Sequence, residues 1–171
     1  MKKILLQTMP QTGTHTMHYL FHVLGGIEVV WHHWESTKGT LADIELAKVM
    51  NWKEFVFVRT YRNPVATLEA YKSRAVTPED GEKYFVECQA AFAVHNRDFP
   101  VPIAIEIDAD NAMKTRNALE IFRRCEVEPP QAALDYMKSW KRINSHHDKQ
   151  KPSRAIKMSI HKGRIGIWHT R

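Results

Sequence analysis

The chain has 171 residues, of which 43% are hydrophobic and 26% charged, a composition typical of a globular domain rather than a disordered chain. No apolar run approaches the roughly 18 residues that a membrane helix needs, and polar residues interrupt the short apolar run after Met1. Two cysteines, Cys88 and Cys125, are too few for a disulfide framework or a cysteine-rich zinc site. We therefore expect a soluble, cytoplasmic protein without a signal peptide or membrane span.

Strands and helices alternate along the predicted chain. Apolar runs predict strands at 3–8, 28–31, 55–58 and 102–107. Helical spacings predict helices at 14–24, 41–50, 63–74, 78–95, 111–125 and 131–143. In chain order, one helix follows each of the first two strands and two helices follow each of the last two. This alternation predicts a single α/β domain over residues 1–171, a three-layer parallel sheet with helices on both faces. Ligands of such folds bind beyond the carboxyl ends of the strands, so the loops after Thr8, Trp31, Arg59 and Ile107 are the candidate site.

The positive charge is concentrated near the end of the chain. The formal net charge is +6, but residues 1–137 hold 15 Lys and Arg against 18 Asp and Glu. Residues 138–171 hold 10 Lys and Arg against the single acid Asp148. A basic segment of this kind attracts a polyanion, such as a nucleic acid, an anionic membrane or a phosphorylated small molecule, or is simply solvated.

The first strand-to-helix turn has the composition of an anion site. Residues 9–16 read MPQTGTHT, and the unpaired backbone N–H groups at a helix N-terminus attract an anion together with the helix dipole. Gly13 lets the backbone approach an oxyanion, and the hydroxyls of Thr12, Thr14 and Thr16 add donors. The leading glycine and the Gly-Lys-Ser/Thr ending of a Walker A loop are both missing, which disfavours ATP hydrolysis and kinase chemistry.

Two later segments also suit an anion. Arg59 and Arg62 follow the third strand just before a predicted helix, where a planar guanidinium can grip a phosphate. Residues 161–168 read HKGRIGIW, with two glycines three apart and flanking cations, which favours a loop that wraps an anion over a helix or strand. Trp168 would anchor this loop in the core, the commoner role, or stack on a base.

In this order, the three segments resemble motifs of the sulfotransferase family that uses 3′-phosphoadenosine 5′-phosphosulfate. The family's P-K-S-G-T-T loop binds the 5′-phosphosulfate, and residues 10–15 read PQTGTH. Its R-x-P segment and its terminal R-K-G-x-x-G-x-W segment bind the 3′-phosphate, and they correspond to residues 62–64 and 161–168. The resemblance spans nearly the whole chain. It implies a P-loop NTPase-like fold and an enzyme that transfers a sulfuryl group to a hydroxyl or amine.

The resemblance also implies a role for each matching residue. In the family, a histidine shortly after the second strand is the general base, which corresponds to His33 or, as the alternative, His32. A basic segment at about 146–171 would close over the nucleotide, and no metal is implied. The implied nucleotide contacts are Thr12, Gly13, Thr14, His15 and Thr16 at the 5′-phosphosulfate, and Arg62, His161, Lys162, Gly163 and Arg164 at the 3′-phosphate with Arg59 as a helper.

The chain departs from the family pattern at three positions. Gln11 replaces a lysine that steadies the bridging oxygen, Ala70 replaces a phosphate-binding serine, and His161 replaces an arginine. Losing one charge-assisted contact to a leaving oxygen costs roughly 2–4 kcal/mol of transition-state stabilisation. Another cation, such as Arg154 or Lys157, could supply the missing charge. A catalytically inactive binder of adenosine 3′,5′-bisphosphate is therefore an alternative function.

Two further functions are disfavoured. His15, His18 and His22 have the spacing of zinc ligands on one helix face, and residues 146–148 add His-His-Asp, but no acidic ligand accompanies the first three. The basic segment would suit a nucleic-acid-binding protein, yet we recognise no recognition helix, RNA-binding strand motif or zinc finger.

The expected partner is a small-molecule or carbohydrate acceptor, with lipid, phenol and peptide acceptors left open. No membrane partner is expected, and the oligomeric state stays open.

Overall fold

Four strands form one parallel sheet. The computed structural model of the protein describes residues 1–33, 36–100, 105–111, 113–140, 156–161 and 164–169. The strands are β1 (Lys3–Thr8), β2 (Val29–His33), β3 (Phe55–Tyr61) and β4 (Ile105–Asp108). Their order across the sheet is β2-β1-β3-β4, and every neighbouring pair is parallel. The predicted α/β class with a parallel sheet is confirmed.

Helices occupy most of the predicted connections. The α-helices are α1 (Thr14–His18), α2 (Thr37–Ala47), α3 (Pro64–Lys72), α4 (Pro78–Asp98), α5 (Lys114–Arg124) and α6 (Gln131–Ser139). Helix α1 continues as wide π-helical turns over Tyr19–Leu24, and a short 3₁₀ turn at Trp52–Glu54 precedes β3. The second helix begins four residues before its predicted start, because the Ser36 hydroxyl accepts from the Gly39 amide at 3.1 Å and caps the first turn. Among the helices of the described segments, none is long and apolar enough to cross a membrane.

The sheet buries side chains on both of its faces. On one face, Ile4, Leu6 and Val58 belong to a core that also contains Ile121 and Phe122 of α5. The alternation of side chains along a strand then directs Phe57 and Arg59 to the other face. There the Phe57 ring lies 5.8 Å from that of Phe99, just beyond α4, and the Arg59 guanidinium lies 5.1 Å from the Phe92 ring centroid. Helical segments therefore cover the sheet from two sides, which is compatible with the predicted three-layer arrangement.

The last two described segments are paired strands, where the sequence predicted a loop. Strands β5 (Ile156–His161) and β6 (Arg164–His169) pair antiparallel, with Ile160 opposite Ile165 and Met158 opposite Ile167. The prediction was wrong because it weighed the two glycines above the alternation of isoleucine with polar and small residues, which has the two-residue period of a strand.

Candidate functional site

The carboxyl ends of β1 and β3 flank the point where the strand order reverses. From β1 the chain adds β2 on one side, and it then crosses back to place β3 and β4 on the other. The two strands end at the same level, since Thr8 of β1 is the register partner of Thr60 in β3. Loops that leave such a position diverge and open a crevice, which is the usual ligand site of open parallel sheets.

The turn after β1 opens onto this crevice with the N-terminal end of α1. Gly13 precedes the helix with φ 91°, and Gln11 also has a left-handed backbone, with φ 68°. The Met17 amide donates to the Gly13 carbonyl oxygen at 3.1 Å, which closes the first turn of the helix. The amides that precede Met17 therefore lie at the open end of the helix, where an anion is favoured.

The buried hydroxyls of the turn bind it to the sheet. The Thr12 hydroxyl donates to the Met9 carbonyl oxygen at 2.6 Å, and it lies 2.9 Å from the Thr60 hydroxyl of β3. The Thr14 hydroxyl is hydrogen-bonded to the hydroxyl of Thr8. These two threonines thus hold the turn in shape, and the Thr12 amide adds a further internal hydrogen bond, to the Met9 carbonyl oxygen at 3.3 Å.

Two arginines at the end of β3 are each held by a carboxylate. The Nη1 atom of Arg59 lies 2.8 Å from Oε1 of Glu106, and the Nε atom of Arg62 lies 2.9 Å from Oδ2 of Asp110. Burial lowers the pKa of Arg59 while Glu106 opposes this effect, and an arginine stays charged at neutral pH. Because the Arg62 contact engages one of five N–H donors, a bound phosphate could share the same guanidinium.

A cavity of about 410 Å³ joins the turn, the two arginines and α4. Its volume is within the range of small-molecule sites, which is roughly 300–1,000 Å³. Thr12 contributes from the turn, Arg59 from β3, and Arg62 from the position just after β3. The wall formed by α4 consists of Phe85, Gln89, Phe92 and Asn96.

No family model, curated protein or solved structure matches this chain. The cavity at the strand-order reversal and the order of the three sequence motifs are therefore the two observations that bear on function.

The structure brings together part of the predicted site. Of the predicted nucleotide contacts, Thr12, Arg59 and Arg62 line the cavity, while residues 13–16 belong to the adjoining turn and α1. Lys162 and Gly163 lie outside the described residues, and His161 and Arg164 are the facing ends of β5 and β6. The meeting of the first turn with the C-terminal segment thus stays a prediction.

The two candidate bases end β2, next to β1. The backbone of His33 is the register partner of Thr8, and that of His32 is the partner of Gln7. Both therefore belong to the same carboxyl edge of the sheet as the first turn.

Several polar residues of the site were not predicted. Asp110 comes from the loop after β4, and it pairs with Arg62, 48 positions earlier in the chain. Gln89 and Asn96 were missed as well, although their spacing of seven along α4 was visible in the sequence and places them on one helix face. Asp110 had no comparable signal.

The three helical histidines form a small cluster of their own. The rings of His18 and His22 are 4.8 Å apart, and Nδ1 of His22 lies 3.0 Å from the Ile27 carbonyl oxygen. Burial, with the neighbouring His22 and His15, lowers the pKa of His18 to about 4. In the part of the chain that the structure describes, no group of three or more potential ligands is placed to hold a metal ion.

Proposed function

We propose that this protein is a sulfotransferase with a P-loop NTPase-like fold that uses 3′-phosphoadenosine 5′-phosphosulfate. One observation carries the proposal. Thr12 of the first turn, Arg59 of β3 and Arg62, the residue after β3, line one cavity where the strand order reverses. Two of the three segments that resemble family motifs thus meet at the position where an open parallel sheet binds its ligand.

The two ends of the donor have different partners in this proposal. The amides of residues 13–16 hold the 5′-phosphosulfate at the N-terminal end of α1, where the helix dipole favours an anion. Arg62 holds the 3′-phosphate with the N–H donors that do not contact Asp110. The positive charge of Arg59 in β3 also attracts this phosphate. His161, Lys162, Gly163 and Arg164 close over the same phosphate.

The proposed reaction is an in-line transfer. His33, or His32 in its place, accepts the proton of the acceptor hydroxyl or amine as the acceptor atom bonds to sulfur. The bond between sulfur and the bridging oxygen breaks, and adenosine 3′,5′-bisphosphate leaves with that electron pair. Gln11 donates an amide hydrogen bond to the bridging oxygen. Most of the catalysis comes from positioning and charge stabilisation, as in phosphoryl transfer, and the proposal involves no metal ion.

Calorimetry with adenosine 3′,5′-bisphosphate tests the binding half of the proposal. We expect Arg62→Ala and Lys162→Ala each to weaken binding by roughly tenfold or more, because each removes a charge-assisted contact to phosphate. Arg97→Ala is the matched control, since Arg97 is an exposed arginine that also pairs with a carboxylate, Asp98, and is not among the residues that line the cavity. No binding by the wild type at millimolar nucleotide would contradict the proposal.

A catalytically inactive binder is the second candidate, and Gln11 favours it. Position 11 holds an uncharged amide where the family has a lysine. Sulfation assays over hydroxyl and amine acceptors separate the two candidates. For an enzyme, we expect His33→Ala to abolish turnover and to leave nucleotide binding unchanged. Unchanged turnover would exclude His33 as the base, and tight nucleotide binding without sulfation of any acceptor would favour the inactive binder.

A further inference from the structure

One face of α4 forms a wall of the cavity that the proposed phosphate contacts do not use. Phe85, Gln89, Phe92 and Asn96 follow one another at intervals of four, three and four residues, which is the spacing of a single helix face. These four side chains carry no formal charge. The charged residues of the cavity are Arg59 of β3, Arg62 just after β3, and Glu106 of β4.

The cavity therefore has two chemically different sides. The side formed by β3 presents guanidinium groups, which suit a phosphate. The side formed by α4 combines aromatic rings with two carboxamides, each of which has both hydrogen-bond donors and an acceptor. A ligand that matches both sides has an anionic group at one end and, at the other, an uncharged flat ring with donors and acceptors on its edge.

The Arg59 side chain already joins the two sides. The Arg59 guanidinium lies over the Phe92 ring at 5.1 Å, and Glu106 holds the same guanidinium from the neighbouring strand. Purine and pyrimidine rings stack on aromatic rings and on arginine planes. Gln and Asn carboxamides hydrogen-bond the edges of bases, and their best-known pairing is with the two adjacent polar atoms of adenine.

We infer that the α4 face of the cavity is a nucleobase subsite. The base stacks against the pair formed by Phe92 and Arg59, and Gln89 and Asn96 read its edge. This inference rests on the proposed function and deepens it, because it assigns the adenine end of the donor to residues outside the motif segments. It also makes the side chains at 89 and 96 the determinants of base preference.

Calorimetry with two nucleotides tests the subsite. The probes are adenosine 3′,5′-bisphosphate and uridine 3′,5′-bisphosphate, which share both phosphates and differ in the base. We expect the wild type to prefer the adenosine compound by about fivefold or more, as one or two hydrogen bonds would give. Gln89→Ala and Asn96→Ala should each weaken adenosine binding roughly three- to tenfold and bring the two affinities closer together. Phe92→Leu should weaken both nucleotides by about tenfold through lost stacking.

Glu87→Ala is the control, since Glu87 is exposed on α4 and is not among the residues that line the cavity. It should leave both affinities unchanged. If the wild type binds the adenosine compound through Arg62 but Gln89→Ala and Asn96→Ala keep both its affinity and its base preference, the subsite is overturned and the proposed function stands. Equal losses for both nucleotides in these two variants would also overturn it. If the wild type binds neither nucleotide, the proposed function and the subsite fall together.

Discussion

The shape of the first turn depends on Gly13. Its φ of 91° lies in the left-handed region, where a residue with a Cβ atom is strained. An added Cβ would lie 3.4 Å from Cβ of Ala109, which is an ordinary contact. The requirement for glycine at this position is therefore conformational rather than steric.

We expect Gly13→Ala to lower the free energy of unfolding by about 1–2 kcal/mol. Urea denaturation measures this loss, and calorimetry with adenosine 3′,5′-bisphosphate should show weaker binding as the amides of the turn move. Gly26→Ala is the control, because Gly26 has φ 67° with no atom within 4 Å of an added Cβ. It should lose similar stability and keep its nucleotide affinity. Equal loss of affinity in both variants would show that the turn is not the binding element.

Helix α3 begins at Pro64, two residues after Arg62, and so helps to place it. The Oδ1 atom of Asn63 accepts the Val65 amide at 2.9 Å and the Ala66 amide at 3.4 Å, and Pro64 occupies the first helical position. Both features favour a helix start at this point. The sequence already indicated it, because Asn-Pro after a β-prone run is a local signal.

Loss of this cap should destabilise the protein without abolishing the fold. We expect Asn63→Ala to lower the free energy of unfolding by about 1 kcal/mol. Asn63→Asp should keep a free energy of unfolding close to that of the wild type, because aspartate caps helices as well as asparagine does. Chemical denaturation of both variants measures the difference. If Asn63→Ala and Asn63→Asp are equally destabilised, the amide group, and not the cap, accounts for the effect.

At the scale of the whole molecule, acid should destabilise the fold through His18. Burial, with His22 and His15 nearby, lowers the pKa of His18 from 6.5 to about 4. Between these two pH values the unfolded chain binds a proton that the folded protein does not, so stability falls as the pH falls. Because His18 is only partly buried, solvent screening limits this contribution to about 1–2 kcal/mol.

The difference between wild type and His18→Gln isolates this effect. Urea unfolding at pH 7 and at pH 4.5 should show a larger loss of unfolding free energy for the wild type, because glutamine does not titrate. If the free energy of unfolding falls by the same amount in both proteins between pH 7 and pH 4.5, His18 is not the group that causes the acid destabilisation.

Local patterns in the sequence were enough to predict the α/β class, the parallel sheet and the start of α3. They were also enough to single out the first turn and Arg62, because periodicity, capping and turn composition depend on residues a few positions apart. The pairing of Arg59 with Glu106, the pairing of Arg62 with Asp110 and the place of α4 over β3 required the folded chain. These contacts join residues more than 30 positions apart, and they depend on the strand order and register, which no local pattern specifies.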